Sequence, residues 1–215
     1  MSVLDDLRQS VIDGNRDRTV ELLKAALAGE VPAEQILKEG LISAMAEVGH
    51  KFECGEYFVP EMLIAARAMQ SGLSLLRPRL ISAQVQAAGK VIIGTVQGDL
   101  HDIGKNLVAM MLEGAGFEVI DLGVDVSPAK YAQAVREYHP DLVACSALLT
   151  TTMPRMKDIV DALRENGLRD GLKVMIGGAP VTESFARQIG ADACAADAAA
   201  AATHAKELIL ELRRA

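Results

Sequence analysis

Apolar residues recur at helical spacing through the first third of the chain. Leu37, Leu41, Met45, Val48 and Phe52 step by four, four, three and four, which is one face of an α-helix. Met62, Ala66, Met69, Leu73 and Leu76 repeat the pattern after a break at Gly55-Glu56-Tyr57. Pro60 suits the first turn of that later helix, and Pro78 is expected to end it. Shorter helical patterns cover residues 2–13 and 16–28, with Gly29 as the stop. Four helices on short loops predict a small antiparallel bundle over residues 1–80. Arg77 to Gly89 has no strong period, and residues 81–89 read as a linker.

From Lys90 the pattern alternates, and residues 90–215 form a second domain. Val91-Ile92-Ile93-Gly94-Thr95-Val96 is a short apolar run, the mark of a strand buried on both faces. A helical stretch over 103–114 follows, then a strand over 117–122, a helix over 127–138 and a strand over 142–145. A helix over 154–166, a strand at 174–176, a helix pair and a weak strand around 191–196 close the chain, with Asp197 as N-cap of the last helix. Strand-helix alternation predicts an α/β fold, a doubly wound parallel sheet with right-handed crossovers. Ligands of such sheets bind beyond the carboxyl ends of the strands. The informative segments are therefore Gln97–Gly104, Ser146–Thr152 and Gly177–Pro180, which follow the first, third and fourth strands.

Composition narrows the function classes. Of 215 residues, 50% are hydrophobic and 24% charged, and the net charge is −7. That balance argues against a nucleic-acid or anionic-membrane binder, which needs a basic face. No run approaches the ~18 apolar residues of a membrane span. The acidic start Asp5-Asp6 does not resemble a signal peptide. Cys54, Cys145 and Cys194 are scattered outside any CxxC, which fits a reducing cytoplasm without a zinc site or disulfide frame. With 4 Phe, 3 Tyr and no Trp, the core relies on small and aliphatic residues, and the 9 methionines read as gap-fillers.

The chemistry concentrates after the first strand. Taken singly, Asp99 has a plain role as a helix cap, His101 as an exposed first-turn residue, and Gly177-Gly178 as a tight turn. His50, His139 and His204 lack ligand-spaced neighbours and read as solvated or capping. The conjunction is more specific: Asp99-Leu100-His101-Asp102-Ile103-Gly104 after one strand, Ser146-Ala147-Leu148 after another, and Gly177-Gly178 after the next. This set resembles the cobalamin-binding domain with the signature DxHxxG…SxL…GG. The stretch Val48-Gly49-His50-Lys51-Phe52 through Tyr57-Phe58-Val59-Pro60-Glu61-Met62 resembles the helical cap found with it in methionine synthase and in methyltransferase corrinoid proteins.

The resemblance covers nearly the whole chain and implies a four-helix cap followed by a flavodoxin-like (Rossmann-type) domain that holds cobalamin or a related corrinoid. The nucleotide tail would leave the cobalt and thread a cleft lined by Gly98, Gly104, Ser146, Gly177, Gly178 and Ala198, with Leu100, Asp102 and Leu148 beside it. His101 would replace the lost base as axial ligand to cobalt, its second nitrogen held by Asp99. The family's relay continues to a hydroxyl after SxL, for which Thr150 and Thr152 are candidates and Thr152 the better match. Phe52, Val59 and Leu63 match the cap positions that cover the methyl group, although bundle core alone would also place apolar residues there. The expected role is a non-catalytic, cytoplasmic methyl carrier working between a donor-specific methyltransferase and a second one that serves an acceptor such as tetrahydrofolate or coenzyme M. A reductive activase is a third expected partner. At about 250 residues a catalytic barrel would not fit in this chain. The small subunit of an adenosylcobalamin mutase and a cobalamin-dependent sensor share the motif. The helical half argues against the former, and the short acidic start against the latter.

Overall fold

The computed structural model describes residues 2–214. The chain forms two compact units, one running from the N-terminus to Ala87 with Glu113–Gly116, the other taking Ala88–Leu112 and Phe117 onward.

The first unit contains α1 (Val3–Ile12), α2 (Arg16–Ala28), α3 (Ala33–Gln35), a π-helical segment (Ile36–Ile42), α4 (Ser43–Glu53) and α5 (Val59–Ser82). Ser2 starts α1 with a capping box, its hydroxyl accepting from Asp5 N–H while the Asp5 carboxylate accepts from Ser2 N–H at 2.8 Å. The α1 helix packs on α2, α4 and the π-helical segment, and α2 packs on α5. Leu37, Leu41, Met45 and Val48 are buried as their spacing predicts. The widened π turn is not signalled by that spacing. It places Gly40 against Leu7, where a Cβ would stand 2.7 Å from a Leu7 methyl, so the glycine lets α1 approach closely.

Pro78 does not end α5, contrary to expectation; the helix continues to Ser82. Proline removes one backbone hydrogen bond and crowds the carbonyl four residues back, here that of Ser74. Ser74 and Pro78 both lie on the exposed side, where water can satisfy the freed carbonyl. Leu76, fully buried, holds the last turns in place. The aperiodic stretch after Arg77 is thus partly helix.

The second unit is a five-stranded, all-parallel sheet in the order β2-β1-β3-β4-β5. Its strands are β1 (Lys90–Thr95), β2 (Glu118–Asp121), β3 (Leu142–Ser146), β4 (Lys173–Gly177) and β5 (Ala193–Ala195). The connecting helices are α6 (Ile103–Gly114), α7 (Pro128–Tyr138), α8 (Arg155–Glu165), α9 (Glu183–Ile189) and α10 (Ala198–Leu212). Ile92, Val143 and Val174 project from one face into a core shared with Tyr131, Val135, Ile159, Val160, Leu163 and Ile189 of α7, α8 and α9. Their neighbours Val91, Ile93, Ala144 and Met175 alternate to the other face and are equally buried, and α10 packs against β4 and β5. Each fully buried branched side chain contributes about 1.5–3 kcal/mol. Register aligns Thr95, Ser146 and Gly177 as neighbours at the carboxyl edge, which brings the loops after β1, β3 and β4 together.

Candidate functional site

After β1 the chain turns through Gly98 (φ +83°) and drives Asp99 inward, where its side chain is 0% exposed. One carboxylate oxygen, Oδ1, accepts from His101 N–H at 3.1 Å and from His101 Nδ1 at 2.7 Å. The other, Oδ2, accepts from the Leu148 and Leu149 N–H groups at 2.9 and 3.4 Å and from the Thr152 hydroxyl at 2.7 Å. Asp99 therefore does not cap α6. It joins the loops after β1 and β3 through five donors. Thr95, fully buried, donates from its hydroxyl to the His101 carbonyl at 2.8 Å and closes the turn from below.

Burial alone would push the Asp99 pKa up, but hydrogen bonds from Thr152, His101 and the Leu148 N–H outweigh it and hold the carboxyl well below the usual carboxylate range. The group is a carboxylate at neutral pH, and a carboxylate only accepts. His101 Nδ1 must then carry the proton, leaving Nε2 of the neutral ring with its lone pair. The His101 side chain is 51% exposed, and Nε2 has no hydrogen-bond partner among the described residues. A buried carboxylate has fixed the tautomer of a half-exposed imidazole, the usual outer support of a metal-ligating histidine.

The surroundings suit a large flat ligand. Leu100, Ile103, Leu148 and Leu149 are large apolar side chains left exposed on the two loops that Asp99 joins. A Cβ on Gly104 would meet nothing within 4 Å, and one on Gly98 only Thr152 Cγ2 at 3.6 Å. Those two glycines leave room that the chain itself does not fill. Gly178 differs. At φ +131° its Cβ would lie 1.9 Å from the Ala147 carbonyl oxygen, so the close approach of the two loops already requires glycine there. An imidazole lone pair, an apolar rim and unfilled glycine-lined space fit a corrin with cobalt at its centre.

Among the remaining expected residues, Ser146, Gly177 and Ala198 stand at the ends of β3 and β4 and the start of α10, where the Asp197 carboxylate accepts from Ala200 N–H at 2.8 Å as the N-cap. Thr152 is buried and bonded to Asp99, whereas Thr150 is exposed and makes no such bond. Asp102 precedes α6 and accepts from the Asn106 side chain at 3.2 Å. In the helical unit, Phe52 and Leu63 are half-buried and Val59 is 40% exposed, so none of the three is plain bundle core. His139 ends α7 in a left-handed conformation, and His204 lies 3.3 Å from the Glu207 carboxylate. The sequence reading overlooked the backbone donors of Leu148 and Leu149, which no side-chain pattern encodes, and the loop after β2. That loop also lies at the carboxyl edge and was open to the same argument.

A parallel flavodoxin-like sheet presenting a carboxylate-oriented imidazole amid exposed apolar side chains fits the class of proteins that bind a metal-centred macrocycle. A family model described as B12 binding domain matches residues 89–206, and a second with the same description matches residues 3–77. The chain is 42% identical over 208 residues to dimethylamine corrinoid protein 3 of Methanosarcina acetivorans, covering 97% of each. It resembles the crystal structure of a cobalamin-binding protein from Desulfitobacterium hafniense DCB-2 at 34% identity and TM-score 0.80, over 95% of this chain and 98% of that one. The methanol:cobalamin methyltransferase complex MtaBC from Methanosarcina barkeri contains a chain similar at 30% identity and TM-score 0.87, over 97% of this chain and 80% of that one. The chain belongs to the corrinoid proteins built from B12 binding domains, and its cofactor is a cobalamin or related corrinoid.

Proposed function

We propose that this protein carries a methyl group between two methyltransferases, holding its corrinoid base-off with His101 as the axial base to cobalt. The observation that carries the reading is the Asp99 carboxylate, buried and bonded at once to His101 Nδ1, the Leu148 N–H and the Thr152 hydroxyl. Such an arrangement orients an imidazole whose outer nitrogen is meant for something other than protein. When bound, the corrinoid supplies a metal centre able to accept and give up a methyl group.

The chain's own part is to bind, orient and hold a proton. His101 offers Nε2 while Asp99 retains the proton on Nδ1. Thr152 donates to Asp99 Oδ2 and keeps that carboxylate ionised. The glycines Gly98, Gly104 and Gly177, with Ser146 and Ala198, line the path of the nucleotide tail. The resemblance implies that Phe52, Val59 and Leu63 would cover the methyl group.

The donor is a small methylated compound met by the partner enzyme rather than by this chain. A relative named for dimethylamine and a structural relative in a methanol complex support that class. The acceptor side is a second methyltransferase serving a thiol or pterin acceptor, and a reductive activase restores the oxidised cofactor. The net charge is −7, and no described helix is long and apolar enough to cross a membrane.

Reconstitution with hydroxocobalamin tests the axial assignment. The parent should take up about one cofactor per chain with a spectrum of imidazole ligation, and His101→Ala should retain the cofactor through its buried tail while losing that spectrum. An unchanged spectrum in His101→Ala assigns the ligand elsewhere and overturns the reading.

A further inference from the structure

The loop after β2 is tied to the His101 loop at successive points. Thr95 N–H donates to the Gly123 carbonyl and Val126 N–H to the Thr95 carbonyl, both at 2.9 Å, and Val96 bridges Val126 in parallel. Asp125 then makes two further bonds. Its Oδ1 accepts from Gly98 N–H at 2.7 Å, and its own N–H donates to the Asp99 carbonyl at 3.0 Å. Together they grip the backbone on both sides of the Gly98–Asp99 peptide. Asp125 is exposed, so core packing does not hold it. It also sits at φ +53°, a left-handed conformation that aspartate tolerates better than most residues.

The loop is itself anchored. Asp121 accepts from Gly123 N–H at 2.8 Å with one oxygen and pairs with Lys105 Nζ through the other. Lys105 is buried within α6, the helix that the His101 loop enters, and also donates to Asn106 at 2.6 Å. Asp125 is therefore presented from a fixed base.

We infer that Asp125 is a positioning residue for the axial imidazole. By holding Gly98 N–H and the Asp99 carbonyl it sets the backbone from which the Asp99 carboxylate reaches His101 Nδ1, Leu148 N–H and Thr152 together. The inference rests on the His101 assignment proposed above. It does not require Asp125 to touch the cofactor.

Two variants separate the contacts. Asp125→Gly keeps the left-handed turn and the N–H to Asp99 but deletes the acceptor for Gly98. Asp125→Asn keeps an Oδ1 acceptor without the charge. In the cobalamin-loaded protein the ratio of nitrogen-bound to nitrogen-free Co(II), read by electron paramagnetic resonance, should fall about tenfold in Asp125→Gly, the scale of one hydrogen bond. The Co(II)/Co(I) midpoint should move positive by up to about 59 mV for that tenfold change. Asp125→Asn should stay close to the parent on both measures. In the apoprotein, the Gly98 amide should exchange faster in Asp125→Gly than in the parent. If the parent shows no axial nitrogen, the His101 assignment fails. If the parent shows it and Asp125→Gly matches the parent in nitrogen-bound ratio and Gly98 exchange, the positioning role is overturned. Equal losses in Asp125→Gly and Asp125→Asn overturn it as well, because asparagine retains the acceptor.

Discussion

Gly104→Leu and Gly178→Ala separate two reasons for a glycine at the carboxyl edge of the sheet. At Gly178, a Cβ would stand 1.9 Å from the Ala147 carbonyl oxygen and 2.9 Å from its carbonyl carbon, with φ at +131°. Those neighbours are backbone and cannot swing aside. Backbone strain and the clash together should cost about 3 kcal/mol or more, lowering the apoprotein melting temperature by about 6–12 °C at this chain size. Gly178 substitutions therefore lose cofactor through damage to the apoprotein, whatever the path of the tail. Gly104 is exposed in the first turn of α6 and its Cβ would meet nothing within 4 Å. Leucine there should leave the apoprotein unharmed and gain up to about 1 kcal/mol of helix preference. The same leucine would occupy the space proposed for the nucleotide tail. An overpacking cost of about 1–3 kcal/mol corresponds to loading about five- to 150-fold weaker. Thermal melts followed by circular dichroism, with spectroscopic titration against hydroxocobalamin, give both quantities. Parent-like loading of Gly104→Leu would refute the tail path, and a parent-like melt of Gly178→Ala would refute the steric argument.

Asp99 has a depressed pKa in the folded chain, so its contribution is present above the unfolded value near ~4 and is lost as pH falls through the lower folded value. The stability gap between parent and Asp99→Asn apoprotein should accordingly be full at pH ~6 and shrink below pH ~4; a gap constant with pH would contradict the hydrogen-bond account. Asp121→Ala strands the buried Lys105 ammonium and should cost about 3 kcal/mol, whereas Lys105→Met leaves an aspartate that is 42% exposed and should cost less; denaturant melts showing the opposite order would refute this. Burial pushes the Cys145 thiol up to about 12 and raises that of Cys194, while Cys54 is exposed. Alkylation followed by mass spectrometry should label Cys54 first, Cys194 next and Cys145 only on unfolding. Phe52→Ala should hasten photolysis of bound methylcobalamin without disturbing axial nitrogen, and an unchanged photolysis rate would remove Phe52 as a shield.

The longer strands and helices were legible through a continuous apolar run or a helical period. Val91-Ile92-Ile93 is a continuous apolar run since β1 is buried on both faces, and Leu37, Leu41, Met45 and Val48 mark a single helical face. Pro78 misled because its local preference was outweighed by Leu76 in the core. The π turn over Ile36–Ile42 left no mark because Gly40 serves an approach by Leu7 from another helix. At the site, Asp99 and His101 were readable as a spaced motif, and Thr152 only through the family resemblance. Leu148 and Leu149 act through backbone N–H groups, which any residue provides. Asp125 acts through a turn whose partners, Gly98 and Asp99, lie 27 and 26 residues away in the chain and adjoin it only through parallel pairing.

The most direct test of the central claim is electron paramagnetic resonance of the Co(II) form of protein labelled with 15N-histidine and loaded with unlabelled cobalamin. With His101 as axial base, the superhyperfine triplet seen with unlabelled protein becomes a doublet, and His101→Ala abolishes the change. A triplet that persists in the labelled protein would show that the cofactor's own base remains on cobalt, and would contradict the account.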